Sequence, residues 1–83
     1  MKVYRGVTKP ANQLKNAANG QRALGTYHRW WSARREIAAV WAGEKGTIIV
    51  GETENAHPKG EAQVIDIQAD RDVKITIVAK ETA

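Results

Sequence analysis

Residues 25–42, GTYHRWWSARREIAAVWA, constrain the fold most strongly because they join two different hydrophobic periods. The aromatic stretch before Ser32 has no helical stripe and predicts a β-strand, with one of Trp30 and Trp31 facing the core and the other facing solvent or a cleft. Apolar side chains then recur at the spacing of an amphipathic helix, at Ala33, Ile37, Val40 and Trp41. The Ser32 hydroxyl is predicted to cap this helix, at a turn where anions bind readily. A strand that turns directly into a helix over residues 32–42 is therefore expected.

The length and composition favour a small domain rich in β-structure. At 83 residues the chain is expected to form one domain, residues 1–83. Such a domain buries roughly 60–65% of its unfolded surface, so its stability is modest and a homodimer would add buried area to the monomer. Ile and Val together number 14, against two Leu and no Phe, and this β-branched bias favours strands over a helical bundle.

Several classes of protein and site are excluded or disfavoured by what the sequence lacks. The absence of cysteine excludes a disulfide scaffold and a thiolate metal site, and it fits a reducing compartment. His28 and His57 lie far apart without metal-ligand spacing, so no metal is expected. No apolar run approaches the roughly 20 residues that span a bilayer, and the N-terminus lacks a signal-peptide core. A cytoplasmic protein without a membrane partner is expected.

The charge is divided unevenly along the chain. Residues 1–45 carry nine Lys or Arg and two acids, a net charge of +7, whereas residues 46–83 carry four Lys or Arg and seven acids, a net charge of −3. The basic half is suited to a phosphate-bearing partner such as a nucleic acid, a nucleotide or a dinucleotide. A chance asymmetry on a soluble domain explains the same pattern equally well.

The remaining patterns predict further strands and one more helix. The first strand is KVYRGV at Lys2–Val7, and a weak helix follows from Pro10 to the helix-stop pair Asn19-Gly20. The three C-terminal strands are expected at residues 47–53, 61–68 and 73–80, separated by a loop at 55–60 and a turn at 69–72.

The predicted fold class is α+β. We expect an antiparallel or mixed sheet of about four to five strands with two short helices. The three C-terminal strands should form the sheet core together with the first strand. Helix 32–42 should pack the face bearing Ile37 and Trp41 on that sheet. The continuous apolar run Ile48-Ile49-Val50 is typical of a strand that is covered on both faces.

Three segments, in order, resemble the conserved elements of the ADP-ribosyltransferases. Val3-Tyr4-Arg5-Gly6 is similar to the first core strand of that family. Residues 25–42 resemble the second element, an aromatic extended stretch that ends in a Ser or Thr and leads into a helix. Residues 61–65, followed by residues 72–75, resemble the third element, a Glu-x-Glu strand and its hairpin partner.

The resemblance implies an NAD cleft, a catalytic position and a macromolecular target that is modified or inhibited. The residues implied in NAD binding are Arg5, Tyr27, Trp31 and Ser32, with Arg5 on the phosphates. Gln63 stands where the family has its catalytic glutamate, and Glu61 stands at the preceding acidic position. The family's glutamate stabilises a positively charged transition state, which a neutral amide cannot do. Either Glu61 acts in a shifted register, or the chain is a non-catalytic relative.

A second interpretation belongs to a different functional class. Cationic side chains surround the aromatic residues of the same segment, a mixture that suits single-stranded nucleic acid because bases stack on rings while cations follow phosphates. The residues concerned are Arg22, His28, Arg29, Trp30, Arg34 and Arg35. The same surface would suit an acidic protein or a nucleoprotein partner. A small, basic, cysteine-free chain would also fit a phage-encoded inhibitor of a host nucleoprotein complex.

Overall fold

The computed structural model describes all 83 residues and places five strands in one antiparallel sheet. The strands are β1 (Lys2–Val7), β2 (Trp30–Ser32), β3 (Thr47–Glu52), β4 (Val64–Asp66) and β5 (Thr76–Thr82). Their order across the sheet is β4-β2-β1-β3-β5, and every neighbouring pair is antiparallel. One α-helix, α1 (Arg35–Ala42), and a 3₁₀ turn at Ala11–Gln13 complete the regular structure. The regular structure is mostly sheet, in keeping with the predicted α+β class.

Three features of the predicted architecture are wrong, besides the helix face described below. The strand expected at residues 61–68 is confined to β4, Val64–Asp66, because Gln63 has a left-handed backbone and residues 67–69 form a turn. The helix expected between Pro10 and Asn19 is only the turn at Ala11–Gln13, because Leu14 is the one large apolar side chain of that segment and helical stability depends on burying an apolar face. The sheet is also centred differently. β1 is its middle strand, between β2 and β3, and the C-terminal strands β4 and β5 form the two edges.

Helix α1 lies on one face of the sheet through small side chains rather than large ones. Ala38 and Ala42 are its buried residues, whereas Val40 is 76% exposed and Ile37 is only half-buried. The expected face therefore differs from the observed one. Gly6 explains the difference, because a Cβ at this position of β1 would overlap the Ala38 carbonyl oxygen. The helix sits so close to the strand that only alanine fits between them.

The two faces of the sheet carry separate apolar clusters. Ile48 and Val50 of β3 pack with α1, while Ile49 belongs to the larger cluster on the opposite face, around Trp31. The prediction that this apolar run is covered on both faces is confirmed. The alternation expected for Trp30 and Trp31 is also confirmed, since Trp31 is fully buried and Trp30 is 43% exposed.

A bulge in β5 changes which face its side chains occupy. Val50 pairs with Ala79 and the next residue, Gly51, pairs with Ile77, so Val78 is an extra residue without a partner. Ile77 accordingly belongs to the Trp31 cluster, whereas Ala79 packs on the α1 side. The strict alternation predicted over residues 73–80 holds only up to this bulge.

Candidate functional site

Arg5 is a half-buried cation without a counter-ion. It lies on β1 opposite Ile49, a member of the Trp31 cluster, and therefore points away from α1. Its Nη1 donates to the Trp30 carbonyl at 3.0 Å and its Nη2 donates to the Tyr27 carbonyl at 3.1 Å. Its Nε is buried and has no hydrogen-bond partner. Burial lowers the pKa of Arg5, yet an arginine stays charged in proteins, so a positive charge is held here uncompensated.

Arg5 lines a cleft of about 670 Å³ that contains cations and no carboxylate. Its volume falls within the range of roughly 300–1,000 Å³ that is common for small-molecule and cofactor sites. Three groups form the wall: the cations Arg5, Lys9 and Lys15, the polar residues Thr8, Gln13 and Asn16, and a set of aromatic and apolar residues that includes Tyr27, His28, Leu14 and Trp41. Positive charge concentrated in a concave, partly apolar wall attracts anions.

The irregular segment that carries both lysines is tied to the sheet at two points. The buried Thr47 hydroxyl of β3 donates to the Lys9 carbonyl at 2.8 Å. At the other end, the Lys80 ammonium of β5 donates to the Ala17 carbonyl at 2.6 Å. These contacts anchor the backbone of the segment from which Lys9 and Lys15 line the cleft.

His28 also lines the cleft and is held in its neutral form. The residue is 4% exposed, and its Nδ1 accepts a hydrogen bond from the Leu24 N–H at 2.9 Å. An accepting Nδ1 carries no proton, so the proton of the neutral ring is on Nε2. Burial, followed by the nearby charge of Arg5, lowers the pKa of His28. The neighbouring Tyr27 is 64% exposed and places an aromatic ring at the rim.

Only two of the four residues implied in NAD binding reach this cleft. Arg5 and Tyr27 line it, whereas Trp31 and Ser32 are fully buried and present no surface to a ligand. The Trp31 indole donates to the His28 carbonyl at 2.6 Å. The Ser32 hydroxyl lies on the α1 side of the sheet, because Ser32 pairs with Tyr4, which packs against the α1 cluster.

Ser32 is not the helix cap that the sequence predicted. Arg34 occupies the N-cap position of α1, and it makes no side-chain capping bond. The Ser32 hydroxyl instead accepts a hydrogen bond from the Arg34 N–H at 3.0 Å and donates to the Ala62 carbonyl. It thus stabilises the turn before the helix and joins it to the segment that precedes β4. The hydroxyl makes both of its hydrogen bonds within the protein and Ser32 is fully buried, so no anion site forms around it.

The two candidate catalytic residues lie near Ser32 and outside the Arg5 cleft. Glu61 is exposed in the turn before β4, and its carbonyl accepts from Arg34 at 2.9 Å. Gln63 has a left-handed backbone with φ of 49°, and its side-chain amide donates to the Gly60 carbonyl at 2.7 Å. Neither residue lines the cleft. The structure therefore brings Ser32, Glu61 and Gln63 together and leaves Arg5 apart from them.

The residues of the nucleic-acid interpretation are spread over several surfaces. Three of the arginines are paired with carboxylates: Arg29 with Asp66, Arg34 with Glu36, and Arg35 with Glu81. Arg29 also stacks on Trp30, with 4.6 Å from its guanidinium carbon to the ring centroid, and its two-pronged hydrogen bonds lower the pKa of Asp66. His28 is buried. Arg22 is exposed and has no carboxylate partner.

Sequence reasoning did not single out Lys9 or Lys15. Both are exposed residues in a segment predicted as a weak helix, where a lysine is an ordinary surface residue. The uneven charge of the first half was the only signal that pointed towards them. Their importance depends on the anchoring of the segment to β3 and β5, which no local pattern reveals.

Comparison with protein-family models, with curated proteins and with solved structures gives no match to this chain. No cluster of three or more His, Asp or Glu side chains is arranged to hold a metal ion. Neither α1 nor the 3₁₀ turn has the length and apolarity that crossing a membrane requires. The Arg5 cleft is thus the feature from which a function is best argued.

Proposed function

We propose that this protein binds a phosphate-bearing nucleotide in the Arg5 cleft, with NAD as the first ligand to test. The observation that carries the proposal is the charge of the wall, which includes three cations and no carboxylate. Arg5 has no counter-ion, and one of its N–H groups has no partner. A buried N–H group without a partner requires an explanation, and a bound ion is one that fits a cation without a counter-ion. A bound phosphate would supply that counter-charge.

The cleft offers the types of contact that a nucleotide needs. Guanidinium and ammonium groups make charge-assisted hydrogen bonds to phosphate oxygens, and Arg5, Lys9 and Lys15 supply them. The exposed Tyr27 ring provides a face on which a base or nicotinamide ring can stack. Arg5 and Tyr27 also belong to the set implied by the resemblance to ADP-ribosyltransferases, which makes NAD the natural first candidate.

The placement of the acidic residues favours a binding role over group transfer. An ADP-ribosyl transfer site needs a negative charge beside the ribose, to stabilise the developing positive charge. Glu61 and Gln63 lie by Ser32 and do not line the cleft. We therefore propose that the protein is a binding module whose sequence resembles a transferase. It acts on a macromolecular target by binding to it and does not modify it covalently.

Titration calorimetry tests the proposal directly. Wild-type protein is titrated with NAD, ADP-ribose and inorganic pyrophosphate, and the Lys9→Ala and Lys15→Ala variants are compared with Lys45→Ala, an exposed lysine outside the cleft. A lost charge-assisted contact is worth about 1.5–3 kcal/mol when well formed. We expect each cleft variant to weaken binding by roughly tenfold or more, because about 1.4 kcal/mol corresponds to tenfold in affinity. Lys45→Ala should bind as the wild type does.

Arg5 itself is tested by a conservative change. Arg5→Lys keeps the positive charge but removes the planar guanidinium group, whose two Nη atoms donate to the Trp30 and Tyr27 carbonyls. Weaker pyrophosphate binding with an unchanged circular dichroism spectrum would support a direct contact. Absence of heat from wild-type protein with every ligand at millimolar concentration would overturn the proposed function.

A further inference from the structure

A second basic cleft lies beside the first. It encloses about 400 Å³, and its ten lining residues include Arg22, Arg71 and Lys74 but no carboxylate. None of these three cations forms an ion pair. Lys74 donates to the Arg71 carbonyl at 3.0 Å, which keeps its ammonium group close to the Arg71 backbone. Three unpaired cations are thus gathered at a concave surface, and two of them, Arg22 and Lys74, also line an adjoining cleft that contains Glu52 and Glu54.

The turn at residues 24–28 separates the two clefts. Tyr27 and His28 line the first cleft, while Leu24 and Thr26 line the second. The Tyr27 N–H donates to the Leu24 carbonyl at 3.0 Å. The α-carbons that close such a turn lie within about 7 Å of each other. The two groups of cations therefore flank one short turn.

Both clefts border the Trp31 cluster on the face of the sheet opposite α1, and the first also reaches Trp41 of α1. The first is lined by Ile49, and the second by Ile67 and Val73, which all belong to the Trp31 cluster. Backbone pairing with the edge strand β5 and the residue before it positions Arg22 of the second group of cations. The Ala23 N–H donates to the Ile75 carbonyl at 2.8 Å, and Arg22 bridges to Thr76. A ligand that extends from one cleft to the other would pass over the turn at residues 24–28.

The turn between the clefts exposes apolar and aromatic surface. Tyr27 is 64% exposed and Leu24 is 41% exposed, and they stand between the two groups of cations. Cations on either side of a stacking ring form the arrangement that single-stranded nucleic acid requires, since its bases are free to stack and its phosphates repeat along the strand. A duplex keeps its bases stacked internally and would leave the Tyr27 ring unused.

We propose that a single-stranded nucleic acid lies across both clefts, with one phosphate group held by Arg5, Lys9 and Lys15 and a further phosphate group held by Arg22, Arg71 and Lys74. A base stacks on Tyr27 between them. This inference rests on the proposed function, because it assumes that the first cleft accepts a phosphate. Of the arginines in the first nucleic-acid interpretation, this site keeps Arg22 and leaves out Arg29, Arg34 and Arg35, which are paired with carboxylates in the structure.

Fluorescence anisotropy with a labelled 12-nucleotide oligo(dT) tests this inference on the full chain. If six cations contact phosphates, the logarithm of the affinity should fall with the logarithm of the salt concentration with a slope of about −4. Oligo(dT) should bind at least about tenfold more tightly than NAD or a thymidine dinucleotide, because two linked sites reinforce each other. The Arg71→Ala/Lys74→Ala double variant should reduce the slope to about −3 and leave the affinity for NAD, which is assigned to the first cleft, unchanged.

The controls separate this inference from the proposed function. Lys45→Ala should match the wild type, and Arg71→Gln provides a single change should the double variant fold poorly. Tight NAD binding with oligo(dT) no tighter than the dinucleotide would overturn the single-strand inference and leave the proposed function intact. Equal or tighter binding of a 12-base-pair duplex or of polyglutamate would also overturn it, in favour of a duplex or an acidic protein. Loss of all anion binding would overturn both.

Discussion

Arg5 and Ser32 lie on neighbouring strands, but their side chains occupy opposite faces of the sheet. Ser32 pairs directly with Tyr4, which packs on the α1 side, and Arg5 is the next residue along β1. Arg5 pairs with Ile49, which belongs to the Trp31 cluster on the other side. Because side chains alternate along a strand, the guanidinium and the hydroxyl cannot converge on one ligand. This relationship separates the anion cleft from the Ser32 region.

Ser32→Ala should therefore affect stability and not anion binding. The substitution removes the acceptor for the Arg34 N–H and the donor to the Ala62 carbonyl. A polar group left without its partner in a buried site costs about 1–3 kcal/mol. Urea denaturation should show this loss of unfolding free energy, while pyrophosphate titration should match the wild type. Weakened pyrophosphate binding at unchanged stability would place Ser32 in the site and contradict the assignment.

We expect no ADP-ribosyl transfer or NAD hydrolysis from this chain. Incubation with labelled NAD and a host-cell lysate should give no protein label above background for the wild type, for Glu61→Gln or for Gln63→Glu. The physical reason is that neither residue lines the Arg5 cleft, so no carboxylate stands beside a ligand bound there. Label transfer that is lost only in Glu61→Gln would show that Glu61 is catalytic and that the chain is an enzyme.

Local periodicity was enough to predict parts of the sheet. The alternation of Trp30 and Trp31 and the doubly covered run at residues 48–50 depend only on side-chain direction along a strand, which a sequence shows directly. The face of α1 was mispredicted because its packing depends on Gly6, which is 32 residues before Ala38 in sequence. The spacing of apolar residues within the helix does not show how closely a strand distant in sequence approaches it.

The site was less accessible to sequence reasoning than the fold. Arg5 and Tyr27 were identified through a resemblance, while Lys9 and Lys15 reach the same cleft only because Thr47 and Lys80 anchor their segment. Such anchors join residues more than 35 positions apart, and hydrogen bonds of that kind leave no periodic trace. The charge pattern alone indicated that the first half of the chain is basic. It did not show which of these cations line a cleft and which are arginines paired with carboxylates at the surface.

The adjacent tryptophans should differ sharply in their contribution to stability. Trp31 is fully buried and donates a hydrogen bond to the His28 carbonyl, so Trp31→Ala should cost about 3–5 kcal/mol. Trp30→Ala loses mainly its exposed contact with Arg29, which is worth about 0.5–1 kcal/mol. Thermal melts of both variants followed by circular dichroism provide the comparison. Equal destabilisation by the two changes would be incompatible with the observed alternation.

Gly6→Ala should be among the most damaging small substitutions in the chain. The added methyl would overlap the Ala38 carbonyl oxygen and approach the Ala42 nitrogen, which are backbone atoms that cannot move unless α1 shifts. Overpacking of this kind costs about 1–3 kcal/mol or somewhat more. Gly25→Ala is the matched control, since the nearest atoms to its added Cβ lie at an ordinary 3.6 Å. Urea denaturation should show a lower midpoint for Gly6→Ala alone.

The stability of the chain should fall as the pH is lowered from 7 to 5, because of His28. Burial and the charge of Arg5 lower the pKa of His28 in the folded state, so the unfolded chain binds the proton more readily. Unfolding free energy rises with pH wherever the unfolded state holds more protons. The stabilisation is therefore complete above the unfolded pKa of about 6.5 and is lost progressively below it. Protonation would also place a second positive charge beside Arg5 and remove the acceptor for the Leu24 N–H.

His28→Asn isolates this effect, because an asparagine oxygen can accept the Leu24 hydrogen bond in place of Nδ1 but does not titrate. Unfolding free energies from urea denaturation at pH 7, 6 and 5 should decline for the wild type and stay nearly level for His28→Asn. The exposed His57 serves as the matched control, and His57→Asn should retain the wild-type decline. A decline of the same size in His28→Asn would assign the pH dependence to other groups, because the turn at residues 24–28 would then not depend on a neutral histidine.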